Sequence, residues 1–174
     1  MAKSDSIEAI LDFAIENEIE ACKFYTDLAA KVDNPAMNPV RDKASEMPDG
    51  RQRRPVSNGM KQVFLDFAAE EQGHRKLLED AKKGKTVKIG GEKIADLKIA
   101  EYAVDVKPTA NMDYQAALIL AMKKEKAAFA LYTDLAAAAQ EPAAKQLFQF
   151  LARQEAKHKL RFELEYDDVI LKDN

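Results

Sequence analysis

Apolar residues recur along this chain at helical rather than strand spacing. Ile7, Leu11, Ala14, Glu18, Ala21, Tyr25 and Leu28 fall on one stripe of a helix expected over 6–32. Phe64, Phe67, Glu71, His74 and Leu78 do the same over 59–83, where Gly84 is placed to stop the helix. A third stripe, Leu118, Ala121, Glu125, Ala128, Tyr132 and Leu135, runs within 113–139. The fourth, Phe148, Leu151, Glu155, His158 and Phe162, runs within 142–166, with Pro142 suited to a first helical turn. Ser4, Asp5 and Ser6 offer N-cap oxygens to the first helix, and Glu8 suits its first turn. Four long amphipathic helices predict an all-α bundle.

The four stripes form two copies of one pattern. Phe-Tyr-Thr-Asp-Leu-Ala-Ala at 24–30 returns as Leu-Tyr-Thr-Asp-Leu-Ala-Ala at 131–137, and 64–74 aligns more weakly with 148–158. The second offset is shorter than the first, which places an insertion in the first half at 38–60. Pro39, Pro48, Pro55, Gly50 and Gly59 mark that stretch as a loop. Its Arg51, Arg53 and Arg54 read first as a solvated charge run, and second as a docking site. The less regular 85–111, with a short extended stretch expected at 87–89, is long enough to cross from the second helix to the third. The expectation is two repeated helix hairpins joined by a long crossover, in one domain spanning 1–174.

Each inward stripe carries an ionisable residue where an apolar one belongs: Glu18, Glu71 with His74, Glu125, and Glu155 with His158. Burying a lone carboxylate costs several kcal/mol, and four together add mutual repulsion. Two divalent ions supply four positive charges against four carboxylates. Residues three apart share a helix face, so each Glu-x-x-His presents a carboxylate and an imidazole inward together. A single Glu-x-x-His is common on solvated faces. Two copies, holding the only two histidines and each sharing its stripe with Phe67 and Leu78 or Leu151 and Phe162, are not explained by surface pairing. Oxygen and nitrogen donors suit iron or manganese.

Tyr25 and Tyr132 follow Glu18 and Glu125 by two turns on the same face, positioned to donate to a ligating carboxylate or to pack as core tyrosines. Cys22 lies off the stripe and reads as an inert small residue. Gly73, inside a helix, raises the question of close approach by another segment.

Composition narrows the function classes. A net charge of -3 gives no electrostatic case for nucleic acid or an anionic membrane. No apolar run approaches the roughly 20 residues of a membrane span. The single cysteine excludes a disulfide and a four-cysteine iron centre within these residues, and fits a reducing cytoplasm.

Glu18-x6-Tyr25, Glu71-x-x-His74, Glu125-x6-Tyr132 and Glu155-x-x-His158 resemble the rubrerythrin group of the ferritin-like superfamily. The resemblance implies a ferritin-like bundle binding two irons, with Glu71 and Glu155 bridging. Glu18 and Glu125 would be terminal carboxylates, and His74 and His158 terminal nitrogen ligands. It also implies reduction of hydrogen peroxide or dioxygen with an external electron donor, and a homodimer. Iron oxidation and storage is the alternative. Two departures stand out. The rubredoxin domain of rubrerythrins is not among these residues, and their extra glutamate three residues after the third-helix ligand is here Ala128, with Ala21 at the repeat equivalent.

Overall fold

The computed structural model describes residues 7–32, 57–84, 99–104, 108–109 and 112–168. Four helices dominate them: α1 (Ile7–Lys31), α2 (Ser57–Lys82), α3 (Tyr114–Ala138) and α4 (Pro142–Tyr166), with a 3-10 turn at Ile99–Tyr102 before α3. No strand occurs among the described residues. The third helix starts where Asp113 accepts from the Ala116 N–H at 2.7 Å, and α2 ends before Gly84 at φ 66, a backbone region glycine enters without Cβ strain. The second helix begins two residues earlier than the periodicity indicated, so the last four positions of the 38–60 insertion are helical. The rest of that insertion, the caps at Ser4, Asp5 and Ser6, and the extended stretch at 87–89 lie outside the described residues.

Side-chain pairs fix the topology. The Lys82–Asp12 ion pair and the stacking of Tyr25 on Phe64 make α1 and α2 antiparallel. Tyr25 reaches Glu125 while Tyr132 reaches Glu18, which makes α1 and α3 antiparallel as well. Helices α2 and α3 are therefore parallel. The chain must travel back along roughly 39 Å of α2 at 1.5 Å per residue before α3 begins. That return is the expected crossover between two hairpins. Its described part lies over α3: the Tyr102 hydroxyl donates to Asp134 at 2.6 Å.

The core divides in two. One apolar cluster joins Tyr25, Leu28, Phe64, Leu118, Ala121 and Phe162. The other joins Leu11, Ala14, Leu78, Tyr132, Leu135, Phe148 and Leu151. Between them the four helices contribute a layer of buried acids and imidazoles. Among the described residues no helix is long and apolar enough to cross a membrane.

Candidate metal centre

The layer between the two apolar clusters holds Glu18 from α1, Glu71 and His74 from α2, Glu125 from α3, and Glu155 and His158 from α4, each buried. Helical spacing brings each Glu-x-x-His pair to one face, and the antiparallel pairing brings the four helices to one level. Two overlapping groups result. Glu18, Glu71, His74 and Glu155 place one donor atom each within 4.8 Å of one another, and so do Glu71, Glu125, Glu155 and His158. Glu71 and Glu155 belong to both.

The distances show how the groups crowd. His74 Nδ1 lies 3.0 Å from Glu71, 3.2 Å from Glu155 and 3.7 Å from Glu18. His158 Nδ1 lies 3.0 Å from Glu71, 3.7 Å from Glu125 and 3.9 Å from Glu155. Despite that proximity, Glu71 Oε1, Glu155 Oε1 and His158 Nδ1 have no aligned hydrogen-bond partner. Unsatisfied buried polar atoms are rare because each costs about 1–3 kcal/mol. Here two of the three, His158 Nδ1 and Glu71 Oε1, crowd to 3.0 Å with no hydrogen bond between them. This oxygen and nitrogen donor set fits a divalent metal ion.

Without metal, protons take up the charge. Burial pushes the Glu18 carboxyl up to about 8 against the pull of His74, and the Glu71 charge adds to the rise. Burial, then the charges of Glu71, Glu125 and Glu18, drive Glu155 well above the carboxylate range. For the histidines burial favours the neutral ring, but the carboxylates win. Glu18 and Glu71 raise His74 to about 9, and Glu125 and Glu71 raise His158 to about 11. Burial would also raise Glu71; the imidazoles of His158 and His74 beside it outweigh burial and hold Glu71 below the usual range. The metal-free centre thus stores protons on two acids and two imidazoles.

Tyr25 and Tyr132 are fully buried and donate to carboxylates of the centre, but across the bundle. Tyr25 donates to Glu125 and Tyr132 to Glu18. Two turns separate each tyrosine from the acid on its own helix, about 10 Å along the axis, so the antiparallel neighbour supplies the nearer acceptor. Burial and the charges of Glu18 and Glu155 push the Tyr132 phenol well above its ordinary range, which keeps it a donor.

Sequence reasoning missed Glu70. Its Oε2 lies 3.0 Å from Nε2 of His158, on the side of the ring away from the centre. A proton held on Nε2 leaves Nδ1 free to face inward. Phe67 stacks on the same imidazole with ring centroids 4.0 Å apart. The repeat hides this pair, because Gln154 stands where the second copy would have Glu70. Only the packing of α2 on α4 reveals it.

Gly73 has nothing within 4 Å of where a Cβ would stand, so no segment approaches it closely. Cys22 is half-buried against the first apolar cluster.

A cavity of about 190 Å³ reaches the centre between α1 and α3. Glu18, Glu71, Glu125 and Glu155 line it together with Ala21, Ala128, and Tyr102 and Val104 of the crossover.

No curated protein and no solved structure matches the chain. The rubrerythrin family profile, described as "Rubrerythrin", matches residues 52–166, which include five of the six acids and imidazoles of the centre. With well over half of its length matched and a paired Glu/His layer at the middle of four helices, the chain belongs to the rubrerythrin family.

Proposed function

We propose that the centre holds two iron ions and that the protein reduces hydrogen peroxide or dioxygen with electrons from an external donor. The observation that carries this is the sharing of Glu71 and Glu155 between two four-residue groups. Glu71 and Glu155, common to both groups, would be shared by the two ions. Glu18 and His74 would help hold one ion, and Glu125 and His158 the other. Manganese suits the same donors.

A ferrous pair bound there would supply the two electrons that reduction of the O–O bond needs. The chain's own residues prepare the place. Tyr25 and Tyr132 hold Glu125 and Glu18 in orientation through their hydroxyls. Glu70 and Phe67 fix the His158 ring. Phe64, Phe67 and Phe162 pack edge and face around Tyr25 and keep water from that end. The α1/α3 cavity admits the oxidant to the carboxylate side. Ala128 offers no additional carboxylate ligand from α3. A homodimer in a reducing cytoplasm completes it; Leu160 and Leu164, 55% and 51% exposed on α4, are candidate contacts. The donor's docking site is proposed at Arg51, Arg53 and Arg54.

Stopped-flow reoxidation of ferrous-loaded protein tests the function. Rapid loss of the ferrous state with peroxide, followed by re-reduction and repeated turnover, is expected. Reoxidation no faster than that of free ferrous iron would overturn it. Loading well beyond two irons per chain would point to iron storage instead.

A further inference from the structure

Helices α2 and α4, which carry the two Glu-x-x-His pairs, lie side by side along one outer face of the bundle. Phe67 meets Phe162, Glu70 meets His158 and His74 meets Phe150. The two helices therefore run antiparallel, and Asp66, Glu70 and Leu77 lie level with about Arg161, Lys157 and Phe150. Asp66, Glu70, Gly73 and Leu77 follow one another at helical spacing along α2, and Phe150, Lys157, Arg161 and Leu164 do the same along α4. Both stripes reach solvent: Leu77, Phe150 and Leu164 are 36%, 38% and 51% exposed. Gly73 adds no side chain, which leaves the surface between Glu70 and Leu77 low.

The stripes are opposite in charge. That of α2 holds two acids, and that of α4 holds two bases. Asp66 accepts from Gln62, Lys157 donates to Gln154, and Arg161 pairs with Glu165 at 3.3 Å. Each of these partners is on the same helix, so the acids of one stripe and the bases of the other are left to meet a second surface. A second copy, related by a two-fold axis parallel to the helices, supplies one. It sets α2 against the partner's α4 and keeps the levels unchanged. Glu70 then meets the partner's Lys157, Asp66 the partner's Arg161, and Leu77 the partner's Phe150, each contact made twice. A copy turned end for end would lay α2 on α2 and α4 on α4, acid against acid and base against base, which is unfavourable. The area suffices: each helix is about 38 Å long and about 10 Å wide, so the pair presents about 760 Å², close to the roughly 800 Å² per partner of a standard interface.

We infer that the α2/α4 face is the contact surface of a homodimer in which α2 of each copy packs antiparallel on α4 of the other. The inference rests on the homodimer of the proposed function and gives it a surface and a symmetry; it does not depend on which metal fills the centre. The arrangement also joins the interface to the centre. The partner's Lys157 lies over Glu70, the carboxylate 3.0 Å from Nε2 of His158, so the second copy completes the surroundings of that imidazole.

Two measurements on the full, metal-free chain test this. Sedimentation velocity reads the assembly of the wild type, Leu77→Glu and Lys157→Glu, with a thermal melt to check that each variant is folded. Both positions are exposed. The wild type should be a dimer, and either variant should raise its dissociation constant by about tenfold or more. Pulsed electron spin resonance then reads the symmetry. In a Cys22→Ser background, single labels at Gln62→Cys, Ala69→Cys and Lys76→Cys sit one heptad apart on α2. The separation between copies should be the same at all three, because the axis runs along the helices. An end-for-end dimer would change the axial offset between labels by about 3 Å for each residue along α2. A monomeric wild type overturns the homodimer and this surface together. A dimer unmoved by both variants, or separations that change along α2, overturns the surface alone. Reoxidation of the ferrous-loaded protein decides the di-iron reading independently of either result.

Discussion

Loading the centre with metal at pH 7 should expel close to four protons. Two are on carboxyls, Glu18 at about 8 and Glu155 well above the carboxylate range. Two are on imidazoles, His74 at about 9 and His158 at about 11. A metal ion needs each of these groups in its deprotonated form. The combined affinity for two ions should therefore rise by up to about ten-thousandfold per pH unit near neutrality, one factor of ten per proton. The metal-free protein should respond in the opposite sense. His74 has a folded value above its ordinary 6.5, so its stabilisation is full below 6.5 and lost as pH rises through 9. Glu18 follows the same sign, losing its contribution from 4.5 up through 8. The His74 change alone is worth about 3 kcal/mol, or roughly 6–12 °C in Tm for a chain of this size. Calorimetric titration with ferrous or manganous ion, in two buffers of different ionisation enthalpy, counts the protons directly. Thermal melts at pH 6.5 and 9, with and without metal, check the crossed dependence. Release of one proton or none would refute the charge argument, as would a metal-free protein more stable at pH 9 than at pH 6.5.

Replacing Glu70 with Gln should weaken retention of one ion more than the other, because only His158 loses its outer carboxylate; affinity losses of 10–100-fold are typical of such partners, and sequential chelation with metal analysis reads them. Glu71→Ala or Glu155→Ala should cost more metal than Tyr25→Phe or Tyr132→Phe, since the acids serve both groups while each tyrosine supports one acid. Equal metal content across those four variants would sink the assignment of roles. Gly73→Ala should raise stability by about 1 kcal/mol, because a Cβ there meets nothing; a lower denaturation midpoint would show that the glycine has a use not visible in the fold.

Much of the fold was legible because helical periodicity and burial are the same fact seen twice. Glu18, Glu71, Glu125 and Glu155 stood out in sequence as acids on apolar stripes, and the bundle buries all four. The repeat carried further information: Glu71 and Glu155 hold equivalent positions in its two copies, and they are the two acids common to both groups. Periodicity within one helix cannot say which neighbour a side chain meets. Tyr25 was readable as a donor to a carboxylate, but its acceptor, Glu125, depends on the antiparallel arrangement of α1 and α3. Glu70 is off the buried stripe and its side chain is 43% exposed, so nothing local marked it. The cavity was hidden for a related reason. Ala21 and Ala128 were visible as small residues, but that they line one space with Tyr102 and Val104 of the crossover depends on how the elements pack.

The most direct test of the central claim is iron content per chain by elemental analysis, on protein loaded anaerobically with ferrous iron and freed of loosely held ions. About two irons per chain are expected in the wild type, falling sharply when His74 and His158 are both replaced by Ala. Retention of no metal by the wild type, or undiminished metal in the folded double variant, would contradict it.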